Sequence, residues 1–102
     1  MAEKQHTLEN FSDQIRTALP ELRQQYGVKD LWLFGSYVRE EQNEISDLDV
    51  LVSFENPNLS LIEFIQLEQK LSELLGVQVD LVEKETLKPG IGQRVLQEAQ
   101  PV

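Results

Sequence analysis

The chain has no cysteine among its 102 residues, so neither a disulfide framework nor a thiolate metal site is open to it. Its one histidine, His6, sits in a polar opening stretch and reads as an exposed residue rather than a ligand. Positive charge is scarce as well. Nine Lys and Arg are scattered among 18 Asp and Glu, giving a formal net charge of -9 and a pI near 4.5. A long nucleic-acid template calls for a basic patch or stripe, and the sequence has none. No apolar run approaches the roughly 18 residues of a membrane span, and the opening MAEKQHTLEN lacks the apolar core of a signal peptide. The expectation is a cytoplasmic protein that engages neither membrane nor nucleic acid directly. With 40% hydrophobic and 26% charged residues, residues 1–102 are expected to form a single domain around one core.

Hydrophobic spacing outlines the elements. Leu8, Phe11, Ile15, Leu19, Leu22 and Tyr26 recur at steps of three or four, which predicts an amphipathic helix. Thr7 fits its N-cap and Gly27 its left-handed end, while Pro20 predicts a kink or a restart. Asp30 to Phe34 reads as a short buried strand, turned by Gly35 and Ser36. Tyr37 to Glu41 fits one helical turn and Gln42 to Ser46 a polar loop. Asp47 to Phe54 is the second strand, and Asn56-Pro57-Asn58 a turn.

Ser60 followed by Glu63 is a capping-box signature, with Leu59 and Phe64 placed as its hydrophobic staple. Phe64, Leu67, Leu71, Leu74 and Leu75 are the expected buried stripe, closed by Gly76. Val77 to Val82 predicts a third strand, and Ile91 to Glu98 a closing helix after the Lys88-Pro89-Gly90 break. The order predicts an α/β fold, a small sheet covered by helices.

Candidate chemistry gathers between Leu31 and Phe54. Asp47 and Asp49 stand two apart in a strand-like segment, so both carboxylates are expected on one face, with Leu48, Val50 and Val52 turned into the core. Gly35 lets the backbone come close to a phosphate, and Ser36 offers a hydroxyl and an N–H. Asp80, between Val79 and Leu81, places a charge inside an apolar strand, where it is costly unless paired, metal-bound or at a sheet edge. Each residue alone has a plainer reading. Asp47 fits a turn cap, Asp49 a solvent-facing strand charge, and Arg39 an ordinary surface arginine. Together the three acids and the Gly-Ser turn suit divalent-cation-assisted handling of a nucleoside triphosphate.

Gly35-Ser36, ten intervening residues and then Asp47-x-Asp49 resemble the signature of the DNA polymerase β-like nucleotidyltransferase superfamily. The flanking runs Leu31-Trp32-Leu33-Phe34 and Val50-Leu51-Val52 fit that resemblance, and Asp80 matches its third acidic position. Within the superfamily the chain resembles the minimal nucleotidyltransferases, the MNT domains, from about Lys29 to Val82. One departure is Glu40, where a small residue such as Gly is frequent.

The resemblance implies a polymerase β-like mixed sheet and Mg²⁺-dependent nucleotide transfer with ATP as donor. It implies phosphate contacts from Gly35, Ser36 and Arg39, and catalytic and metal-binding roles for Asp47, Asp49 and Asp80. Leu81 to Val102 is too short for an added substrate domain, so the acceptor is expected from a partner. MNT domains are commonly the antitoxin half of toxin–antitoxin pairs with a HEPN ribonuclease. The implied role is an adenylyltransferase antitoxin that modifies a tyrosine of such a toxin within a hetero-oligomer. The other role carried by the resemblance is an antitoxin that neutralises its partner by binding alone.

Overall fold

The computed structural model describes residues 7–39, 41, 47–55 and 59–102. His6, Glu40, the 42–46 loop and the 56–58 turn lie outside the described residues. The elements are α1 (Leu8–Tyr26), β1 (Val28–Phe34), β2 (Leu48–Phe54), α2 (Leu61–Leu75), β3 (Val79–Glu83), a 3₁₀ turn (Lys84–Thr86), α3 (Ile91–Glu98) and β4 (Gln100–Pro101). They form one four-stranded mixed sheet in the order β3-β2-β1-β4. β1 runs antiparallel to β2 and to β4, whereas β2 and β3 are parallel. Parallel neighbours need a crossover, and α2 supplies it. No helix of the described residues is long and apolar enough to cross a membrane.

The caps form as the sequence requires. Thr7 Oγ1 accepts from the Asn10 N–H at 3.2 Å, and Ser60 and Glu63 complete a reciprocal capping box. Both long helices end on left-handed glycines, Gly27 and Gly76. α1 runs unbroken through Pro20 instead of restarting there. Pro20 and Arg16 are both exposed, so water can take the carbonyl that the missing N–H leaves free.

One sheet face carries the main core. Leu31 and Leu33 pair with Val52 and Val50, and Leu48 and Val50 pair with Val79 and Leu81. Directly paired residues point to the same face, so these side chains form one layer beneath Phe11, Ile15 and Leu22 of α1 and Leu67 and Leu71 of α2. Leu74, expected in the buried stripe, is 38% exposed. The stripe follows Leu67, Leu71 and Leu75 at steps of four, which carries Leu74 to its flank.

The other face is half covered. Leu51 is fully buried there, paired with Trp32 and Val82. Lys84 Nζ lies 5.1 Å from the Trp32 ring centroid, and Ser53 Oγ donates to Glu85 Oε2 at 3.3 Å. The 3₁₀ turn thus closes the far half of this face and leaves the Asp49 end open.

β3 is an edge strand whose outer N–H groups would otherwise be unpaired. Side chains of α2 take them: Val79 N–H donates to Ser72 Oγ at 3.0 Å and Leu81 N–H to Glu68 Oε2 at 2.9 Å. These bonds bracket Asp80 and fix its height beside β2. Ser72→Ala and Glu68→Ala are each expected to lower unfolding free energy by about 1 kcal/mol. Urea denaturation reads this as a lower midpoint at unchanged slope.

Candidate active site

β1 ends at Phe34, which pairs with Asp49 on β2, so the next residue, Gly35, lies against the Asp49 side chain. A Cβ at Gly35 would overlap Asp49 Oδ2 and stand 2.8 Å from its Cγ. Gly35 is also at φ +86°, a conformation side-chain-bearing residues rarely adopt. The glycine therefore makes room for a carboxylate of its own chain, a role beyond the phosphate contact expected of it.

The chain then turns tightly through Ser36 to Arg39. Val38 and Arg39 N–H both donate to Gly35 C=O at 3.1 Å, and Glu41 N–H donates to Ser36 C=O at 2.8 Å. The expected helical turn forms as a single turn closed by the Arg39 N–H to Gly35 C=O bond, starting earlier than Tyr37, which anchors it. The Tyr37 ring is buried edge-on against Phe11 with centroids 5.4 Å apart, tying the turn to α1.

Across the parallel pair, Asp49 stands directly beside Asp80, so the two carboxyl groups interact directly. Burial, then the charges of Asp80 and Asp47, push the Asp49 carboxyl up to about 6, against an opposing pull from Arg39. The Asp80 carboxyl is raised by burial and by the Glu68 and Asp47 charges, partly offset by the interaction with Asp49. Asp47 precedes the strand and is exposed, and its charge reaches both partners.

Of the predicted acids, the fold thus joins Asp49 and Asp80 directly, with Asp47 at their margin. Among the described residues, no three His, Asp or Glu groups stand together in metal-holding geometry. The pair nevertheless fits Mg²⁺, which binds through one or two carboxylates and completes its shell with water and substrate phosphate. Uncompensated negative charge on hard oxygen donors is what such an ion relieves.

Several functional neighbours had no sequence signal. Glu98, at the end of α3, accepts the Gly35 N–H on Oε2 at 2.6 Å and meets Arg39 Nη1 at 3.0 and 3.1 Å. Burial would push the Glu98 carboxyl up, but the Gly35 N–H and the Arg39 guanidinium together hold it below the ordinary value. Arg39 also donates from Nε to Glu41 Oε1 at 3.0 Å. Arg94 and Glu98 join Phe34, Gly35, Arg39 and Asp49 around a cavity of about 230 Å³. A larger cavity of about 460 Å³, between the start of α2 and β3, is lined by none of the predicted site residues. Of the predicted site residues, Gly35, Arg39 and Asp49 line the smaller one.

Gly35→Ala is expected to destabilise the protein by about 2 kcal/mol or more, through backbone strain and displacement of Asp49. Circular-dichroism melting measures it. Asp49→Asn acts in the opposite direction. A carboxyl with a raised folded-state value binds its proton more tightly folded than unfolded, so its stabilising effect is complete below the unfolded value and is lost as pH rises through about 6. In metal-free buffer, the stability difference between Asp49→Asn and the parent should be smallest near pH 4 and grow to a plateau above pH 6.5. The plateau is expected to be on the order of 1 kcal/mol in favour of Asn, given a half-exposed carboxylate. A difference independent of pH would contradict the raised value.

Residues 14–102 match the family model described as nucleotidyltransferase domain. The protein adenylyltransferase MntA of Thermococcus cleftensis is 49% identical over 92 residues, spanning 90% of this chain and 92% of that protein. A solved toxin–antitoxin structure with AMP-PNP aligns with a TM-score of 0.73 at 28% identity, covering 88% of this chain and 70% of the other. A complex of tri-AMPylated Shewanella oneidensis HEPN toxin with MNT antitoxin aligns at 0.66 and 25% identity, covering 91% and 69%. The glycine-buttressed acidic pair lies inside the matched region, and the chain belongs to the nucleotidyltransferase family as an enzyme of its minimal, MNT type.

Proposed function

We propose that residues 1–102 act as one minimal domain, an antitoxin that transfers AMP from ATP to a tyrosine of a HEPN ribonuclease toxin. The carrying observation is the Asp49–Asp80 pair, held beside a Gly-Ser turn whose Gly35 and Arg39 line the same cavity as Asp49. The 49% identical protein adenylyltransferase and the AMPylated toxin complex support the choice of donor and acceptor. Mg²⁺, held by Asp49 and Asp80 with Asp47 at the margin, would supply charge neutralisation at the triphosphate.

The chain's own residues account for the rest. Gly35, Ser36 and Arg39 hold phosphate oxygens, as a glycine turn and a guanidinium do. The toxin tyrosine oxygen attacks the α-phosphorus, the bond to the β-phosphate oxygen breaks, and pyrophosphate leaves. Asp80, itself exposed on the edge strand and with a raised carboxyl value, would take the phenolic proton. The acidic surface, net charge -9, suits a basic RNA-cleaving partner in a hetero-oligomer.

The test is incubation with ATP, Mg²⁺ and the purified HEPN partner, followed by intact-protein mass spectrometry. One or more AMP units should appear on the toxin, and Asp49→Asn and Asp80→Asn should slow this by about 100-fold or more. Toxin Tyr→Phe should abolish the gain. A tight complex with no mass change, and full neutralisation by Asp49→Asn, would replace this reading with an antitoxin that works by binding alone.

A further inference from the structure

The Gly35 N–H and the Arg39 guanidinium are the donors that nucleotide binding needs, yet both are already engaged by one carboxylate. Glu98 presents two oxygens to a backbone N–H at a glycine turn and to an arginine, the pattern by which proteins hold a phosphate. Its carboxylate faces the cavity shared by Asp49, Arg39 and Arg94, and its side chain is only 23% exposed. It also adds negative charge near Asp49, since its field is among those that raise the Asp49 carboxyl. A triphosphate beside Asp49 cannot share the single Gly35 N–H with Glu98, and repulsion between the two would oppose sharing Arg39.

The element carrying Glu98 is lightly attached. Gly92 is the sole buried residue of α3, set against Leu87. Ile91 and Leu96 are 67% and 45% exposed, and the N-cap residue, Gly90, has no side chain with which to cap the helix. Beyond Ala99 the chain is held by β4, which pairs with Trp32 and Leu33, and by Val102 N–H donating to Leu31 C=O at 3.2 Å. Glu98 thus sits at the anchored C-terminal end of α3, and the turn before it is the lightly held part.

We propose that Glu98 is a built-in anion placeholder, which occupies the phosphate subsite in the free protein and is displaced when a nucleotide binds. This rests on the reading that Gly35 and Arg39 hold the nucleotide phosphates, and adds an autoinhibitory contact to that site. In the free protein the carboxylate satisfies Arg39 and the Gly35 N–H and keeps the turn in its binding conformation. Each nucleotide must first expel it, and α3 loosens as it does. A latch closed about nine-tenths of the time weakens apparent affinity about tenfold.

The experiment is calorimetric titration of the full chain with an ATP analogue carrying a nonhydrolysable α,β-methylene bond, in Mg²⁺. Glu98→Ala should bind it about tenfold tighter than the parent, Glu98→Gln should fall between, and Arg39→Ala should bind more weakly. Hydrogen exchange on the unsubstituted protein supplies a readout free of any folding defect in the variants. Amides of residues 91–98 should lose protection when the analogue binds, while those of β1 and β2 gain it. If the parent binds the analogue but Glu98→Ala binds equally or less tightly, or α3 becomes more protected, Glu98 positions Arg39 and the placeholder is wrong. If neither parent nor variant binds the analogue, the nucleotide site itself falls, and the placeholder with it.

Discussion

The site depends on one close approach. At the open end of the sheet, the Asp49 carboxylate lies over Gly35 where any Cβ would overlap it. That contact sets the distance between the turn proposed to hold phosphate and the acid proposed to hold metal. Much of the surrounding framework holds this geometry. Tyr37 pins the turn to α1, and Ser72 and Glu68 fix the edge strand that carries Asp80. A nucleotidyltransferase needs such rigidity, because charge stabilisation acts only when its groups are aimed before the substrate arrives.

The same arrangement accumulates charge that the free protein does not neutralise. Asp49 is half-buried beside Asp80, and its carboxyl is pushed up to about 6. A site optimised for stability would not hold two carboxyl groups in that position, and such unfavourable pairings concentrate at functional sites. Arg39 offsets only part of it, because the guanidinium is shared with Glu41 and Glu98. The free protein is thus an electrostatic compromise. Its paired acids lack a full counter-charge, while the Gly35 N–H and Arg39 are engaged by the Glu98 carboxylate.

The two faces of the sheet divide the work. The layer under α1 and α2 is continuous and apolar, with Ile15, Leu22, Leu33, Val50 and Leu67 fully buried. The opposite face has its own smaller packed patch at Leu51 and Trp32, closed by the 3₁₀ turn, and is polar where the acids stand. Alternation along β2 achieves this separation, since Asp49 and Val50 must point to opposite sides. Stability therefore comes mainly from a face that substitutions at the site do not touch.

Short-range rules on the chain determined most of the framework. Helical spacing in Leu8–Tyr26 and Leu61–Leu75, the Thr7 and Ser60 caps, and the two closing glycines depend on neighbours within about four residues, so they were readable without a fold. The Gly-Ser turn and the Asp-x-Asp segment were legible for the same reason, as a motif confined to one stretch. Three things required the tertiary structure. The two-residue β4 strand has no pattern of its own and exists only because β1 offers an edge. The side-by-side placement of Asp49 and Asp80 depends on the β2–β3 register, set through a crossover helix. Glu98 reaches Gly35 from 63 residues away. A glutamate near the end of a short helix looks like any surface charge, and only the path of the folded chain decides which donor it meets.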